Sequence, residues 1–210
     1  MRSYLILLAT ASMLTACSSP KNTYYTLSAP DVSAITATTQ KTRILVGPVT
    51  VPEILDTPHL VLTDSSNQVT VYEYRRWAGS LKSDIERVVA ADLSRDLATP
   101  NVWSYTQSPF AHYDYQVLID VQKMDSRLGD SVLLEVLWTI KPTHETSSPT
   151  EAKTAHAVKR KAGTPDKQQM TGRSVVREPV SGSGFEAVVA AQSRAFDRAT
   201  LDIAKAIRTD

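Results

Sequence analysis

The sequence contains one cysteine, Cys17, so no internal disulfide can form. Glycine is scarce, 7 residues in 210, and no glycine-rich loop has the spacing that cradles a phosphate. Charge of one sign is missing too: Lys and Arg total 23 against 22 Asp and Glu. Such a balance gives no overall field to draw in nucleic acid or acidic substrates. The histidines are His59, His112, His144 and His156, none with a partner three or four positions on. Paired metal ligands on a helix face are therefore absent from the pattern, and no cofactor is implied. Ser181-Gly182-Ser183-Gly184 lacks the nucleophile-elbow pattern and reads as a turn before a helix. A catalytic site could only be built from residues scattered along the chain. What is present is ordinary globular material, 42% apolar and 21% charged, enough for one core with appendages.

The N-terminus accounts for the cysteine. Met1-Arg2-Ser3 is a short basic start, Tyr4 to Leu14 is apolar, and Thr15-Ala16 supplies small residues. That order is a secretory leader, its apolar run too short for the roughly 20 residues that span a bilayer. Leu14-Thr15-Ala16-Cys17 closely resembles the bacterial lipobox, which implies cleavage before Cys17 and acylation of its thiol. The competing reading is a plain leader ending in a chance cysteine. A single acyl chain binds a membrane only marginally, whereas the multiply acylated cysteine that the resemblance implies anchors stably. Ser18 stands where aspartate would favour inner-membrane retention. By resemblance to enterobacterial sorting, this points to the outer membrane, facing the periplasm.

The organisation expected is a leader at 1–16, a lipidated tether at 17–22 and one globular domain at 23–210. Strands are expected at Tyr24–Leu27, at Arg43–Val51 with an irregularity at Pro48, at Leu60–Thr63 and around Val69–Glu73. Trp77, Leu81, Ile85, Val88, Val89, Leu93 and Leu97 form one helical face that stops before Pro100. Tyr113 to Gln122 and Val132 to Ile140 alternate apolar with polar about a Gly129-Asp130 turn, a long antiparallel hairpin. Leu118, Leu133 and Leu137 fall on its other face, which is then not wholly polar. Residues 143–168 are Thr-, Ser-, Lys- and Pro-rich, a polar insertion, and Gln169–Val176 returns as a strand. Ser183 with Glu186 has the capping-box spacing ahead of the stripe Phe185, Val188, Val189, Gln192, Phe196, Ala199, Ile203 and Ile207. The fold class expected is α+β, a largely antiparallel sheet of about six strands with two amphipathic helices on one face. Lys159-Arg160-Lys161, in the insertion, reads as a solvated tip or as a contact with anionic lipid or an acidic partner. Trp77, Trp103 and Trp138 read as core before they read as a groove.

Taken in order, Tyr25-Thr26-Leu27, then Val46-Gly47-Pro48-Val49-Thr50-Val51-Pro52 with Leu55-Asp56, then Arg76-Trp77-Ala78 leading Leu81 into a helix, resemble the ABC-type transport auxiliary lipoprotein family. The lipoprotein of the paraquat-inducible system belongs to that family. The likeness takes in most of the mature chain, through the helix from Phe185 to Ile207, and departs at the polar insertion. It implies a non-enzymatic role: an outer-membrane-anchored partner of MCE-domain proteins, which form periplasmic conduits for lipid, with an ABC permease and ATPase behind them. A homo-oligomeric ring of copies fits that role, and no nucleic acid enters it. Cys17 is the expected lipid-attachment site, and the Val46–Pro52 segment and Trp77 are expected to be structural. Two other readings stay open, an envelope-assembly lipoprotein acting by protein binding and a tethered hydrolase built around His59 or His112.

Overall fold

The computed structural model describes residues 20–29, 42–107, 112–143 and 168–209. In chain order these form β1 (Thr23–Tyr25), β2 (Ile44–Thr50), a 3-10 turn (Glu53–Leu55), β3 (His59–Ser65), β4 (Gln68–Trp77), α1 (Leu81–Asp96), β5 (Val102–Ser104), β6 (Tyr115–Ser126), β7 (Ser131–Pro142), β8 (Met170–Pro179) and α2 (Phe185–Thr209).

The alternating segments dictate the centre. β6 and β7 pair antiparallel from Tyr115↔Pro142 to Ser126↔Val132, and β8 adds to β7 in the same sense. One face carries Val117, Ile119, Val121, Val132, Leu134, Val136 and Ile140, all at most 2% exposed. Leu118, Leu133 and Leu137 lie on the reverse face and are half-buried, as their phase in the alternation requires. Both helices cover the apolar face, α1 over β2 and β5, α2 over β7 and β8, and they pack on each other. Ile85, Val88, Val89 and Leu93 of α1 meet Val188, Phe196, Ala199 and Ile203 of α2 in the same buried core.

The α+β class holds, with four differences. The described strands number eight, in a five-stranded sheet ordered β5-β2-β6-β7-β8 and a three-stranded sheet ordered β1-β4-β3. Pairings β1–β4, β2–β5 and β2–β6 are parallel, so antiparallel order is confined to the longer ladders. Parallel neighbours need a long crossover, here the β3–β4 hairpin and α1 between β2 and β5. Trp77 closes β4 rather than opening a helix, because extended Ser80 caps α1 and the helix starts at Leu81. At the second helix the first helical residue is Phe185, so Gly184, at φ +93°, occupies the place expected of Ser183.

The irregularity expected at Pro48 is present, and its neighbour explains it. The Gly47–Pro48 peptide is cis, Gly47 has φ +112°, and the β2–β6 register shifts between Val46 and Val49. A Cβ on Gly47 would lie 2.8 Å from both Glu86 Oε1 and Tyr105 Cβ. The Gly47 carbonyl accepts a bond from Gln116 Nε2 at 2.9 Å. Buried Glu86 in turn accepts from the Thr106 N–H (3.0 Å) and hydroxyl (2.6 Å). The segment therefore docks β2, α1 and the end of β5 together. Its role is structural, as expected.

Candidate functional site

Cys17 and Lys159, Arg160 and Lys161 lie outside the described residues, as do residues 144–167 of the polar insertion. The described chain picks up at Pro20, three residues after Cys17, so that end is within about 11 Å of the cysteine even fully extended. Residues 20–24 are exposed, and the chain becomes fixed over the next four residues.

One carboxylate is central to that fixing. Asp84, in the first turn of α1, accepts bonds from the Thr26 hydroxyl (2.9 Å) and the Leu27 N–H (2.9 Å). Arg87, one turn on, donates to the Leu27 carbonyl and to Asp84, both at 2.6 Å. Ser28 N–H donates to Ser193 Oγ of α2 at 3.1 Å, and the Leu27 side chain is 1% exposed in the core. A carboxylate at a helix N-terminus also sits favourably in the helix dipole. Residues 26–28, just after β1, are thereby bonded to both helices. Asp84 lies off the apolar stripe of α1, and its partners stand 57 and 58 residues away, so no local pattern marks it. Asp84→Ala leaves the Leu27 N–H without its acceptor and removes the ion pair with Arg87, which keeps the Leu27 carbonyl, at about 1.5–3 kcal/mol for charge-assisted bonds. Amide exchange at Leu27 is expected to speed up by about tenfold or more while exchange in β6 and β7 stays unchanged; equal rates in variant and parent would refute the assignment.

The sheet beside this attachment has an unusual surface. In the β1–β4 register Tyr24 aligns with Arg76, and Tyr74 shares that side of β4 by alternation. Tyr24 is 60% and Tyr74 40% exposed. Farther along, Val69 and Val71 of β4 are exposed, as is Ile54 of the adjoining 3-10 turn. Those five are more than half of the nine large apolar side chains that are strongly exposed among the described residues. The inner side of the same sheet is packed: Tyr72 meets Phe185 edge-on at 4.7 Å, and the Arg75 guanidinium lies 5.2 Å from that ring.

A second charged group lies between the helices. Arg95 bridges Asp92 (2.9 Å) and Asp96 (2.9 Å) of α1 to Asp197 (2.5 Å) of α2. Three carboxylates thus share one guanidinium. Asp92 is 1% exposed and its Oδ2 has no partner, nor has Asp96 Oδ2. Burial, reinforced by the charges on Asp197 and Asp96 and opposed by Arg95, pushes the Asp92 carboxyl up to about 7.

Concave surface is limited. A groove of about 320 Å³ between α1 and β5 is lined by Arg87, Ser94, Trp103 and Gln107, with the buried Ser104 hydroxyl at its wall. Trp77 and Trp138 are core residues, 4% and 9% exposed, and Trp103 alone of the three reaches a groove. His59, a candidate base, bonds through Nδ1 to the Thr57 hydroxyl at 3.1 Å. Among the described residues no three His, Cys, Asp or Glu side chains gather as metal ligands. No described helix is long and apolar enough to cross a membrane.

Comparison with known proteins adds a family. The family described as ABC-type transport auxiliary lipoprotein component matches residues 25–204. No curated protein matches. Among solved structures, an uncharacterised protein superposes with a TM-score of 0.64 at 17% identity, over 90% of this chain and 99% of its own. A Xanthomonas campestris protein of the DUF330 family gives 0.61 at 17% identity, over 87% and 92%. At that identity the two show a shared fold.

Proposed function

The chain belongs to the ABC-type transport auxiliary lipoprotein family, and from that premise we propose that it is a non-enzymatic envelope component, anchored through acylated Cys17 in the outer membrane and facing the periplasm. The observation that carries this is the family match over residues 25–204 directly behind the Leu14–Cys17 lipobox. Its task is to hold the outer-membrane end of an MCE-domain conduit that an inner-membrane ABC permease and ATPase drive. The bonding of Thr26, Leu27 and Ser28 to both helices supports the reading, because a short tether at 17–22 then leads straight into fixed chain, which sets how the body stands over its anchor. Several copies in a ring would give such a conduit a collar. Lys159, Arg160 and Lys161 are proposed as a contact with anionic lipid or an acidic partner.

Crosslinking in intact cells followed by affinity recovery of the tagged lipoprotein tests the partner. Recovery of an MCE-domain protein is the expected result. Recovery of outer-membrane assembly machinery alone would replace this reading with an envelope-assembly role. Fatty-acid labelling tests the anchor separately, with label expected on the parent protein and none on Cys17→Ala.

A further inference from the structure

We infer that the outer face of the β1–β4 sheet is a membrane-contact surface that lies against anionic phospholipid headgroups beside the anchor. The inference rests on the proposal that Cys17 carries the lipid, and deepens it by saying which side of the body meets the bilayer.

Three observations lead there. Chain length comes first: Pro20 is three residues from Cys17, so β1 begins close above whatever surface holds that cysteine. At about 3.3–3.6 Å per residue the body cannot stand far off, and the side bearing β1 is the side brought down. Side-chain chemistry comes second. Tyr24 and Tyr74 stand open on this face, and tyrosine suits a bilayer interface, its ring among acyl chains and its hydroxyl among headgroups. Val69, Val71 and Ile54 extend the apolar area along β4 and the turn beside it. Charge comes third. Lys21 and Arg76 border the tyrosines, Arg75 being turned to the inner side, with Glu73 the one acidic side chain in the Tyr72–Trp77 stretch of the strand. An excess of cations beside two interfacial aromatics matches an anionic headgroup layer better than a protein groove.

The attraction needed is small. Each basic residue near an anionic surface favours contact by about five-fold, and the tether holds the face at high effective concentration. The face is therefore expected to settle on the membrane only when the chain is anchored. Weak binding of the free body is consistent with this.

The lone cysteine supplies the test. Among the described residues every core side chain lies between Leu27 and Ala204, so the mature chain from Cys17 to Asp210 retains that core without the leader. Coupling its single thiol to maleimide-bearing lipid places it on vesicles in a defined attachment, whether or not cells acylate it. Tyrosine nitration then reads the face, with exposed Tyr105 at the end of β5 as internal reference. On vesicles containing phosphatidylglycerol, Tyr24 and Tyr74 are expected to react at least about five-fold more slowly than in the free chain, and Tyr105 at its free rate. Arg76→Glu, or salt near 1 M, where the Debye length is about 3 Å, is expected to remove that protection. Free-chain rates at Tyr24 and Tyr74 on these vesicles would overturn the inference, and would leave the face to a protein partner. Equal protection on purely zwitterionic vesicles would also overturn it. Failure here counts against the surface alone, because the anchor is judged by the fatty-acid label on Cys17.

Discussion

Replacing Gly172 with alanine is expected to destabilise the fold by about 3 kcal/mol, within the range that overpacking a core costs with a hydrogen bond lost as well. Gly172 sits in β8 directly opposite Trp138 of β7. A Cβ there would lie 2.1 Å from Trp138 Cζ2 and 2.4 Å from Cη2, well inside any real contact. The indole cannot simply turn aside. Its Nε1–H donates to Ser174 Oγ at 3.1 Å, and that hydroxyl donates to Asp202 Oδ2 of α2 at 2.9 Å. Moving the ring breaks the link from sheet to helix and disturbs the core around a residue only 9% exposed. For a chain of this size about 3 kcal/mol lowers Tm by roughly 6–12 °C. A double-mutant cycle checks the cause: in a Trp138→Leu background the alanine is expected to cost under about 0.5 kcal/mol, since nothing occupies its place. The same cost in both backgrounds would mean the clash is not what matters.

The Trp138–Gly172 contact shows how much the sequence can yield. The hairpin of β6 and β7 is legible because one buried face forces strict alternation, and that signal is local. The helical stripes are legible for the same reason, and so is the structural role of Gly47-Pro48. Long-range pairing leaves no such trace. β5 is three residues long and pairs parallel to β2, whose matching residues lie 58 positions away. Trp77 satisfies the helical spacing with Leu81 yet ends a strand, because the backbone bends at Ala78-Gly79 between them. Polar residues mislead most. Asp84 and Glu86 lie off the apolar stripe of α1, but Leu27 just beyond β1 and Thr106 just beyond β5 draw them into a packed setting. Periodicity reports which side of a helix is apolar, and it cannot report a carboxylate drawn inward by a distant donor. The bonding of Asp84 to Thr26 and Leu27 is illegible for that reason, as is the Arg95–Asp197 pair between the helices. The anchor reading of Cys17, by contrast, needs only its immediate neighbours.

Stability is expected to fall as pH rises from about 4 to about 7, and Asp92→Asn to abolish most of that fall. The sign follows from proton binding. Asp92 titrates near 3.8 in the unfolded chain and near 7 in the folded protein, raised first by burial and then by Asp197 and Asp96. Between those values the folded state holds the extra proton, so raising the pH favours unfolding. The contribution is fully present below the unfolded value, declines through the window and is flat above about 7. A separation of about three units corresponds to roughly 4 kcal/mol, an upper figure for one group in a cluster of three carboxylates. Asparagine keeps an oxygen for Arg95 Nη1, which bonds Asp92 Oδ1 at 2.9 Å, and removes the charge whose Oδ2 has no partner. Parent and variant are therefore expected to unfold within about 1 kcal/mol of each other at pH 4.5. At pH 8 the variant should be more stable by about 2–4 kcal/mol, or several degrees in Tm. Urea unfolding at the two pH values supplies the difference of differences, in which any pH-independent effect of the amide cancels. Parallel stability profiles for the two proteins would show that Asp92 is ionised in both states, and that Arg95 alone neutralises the space between the helices.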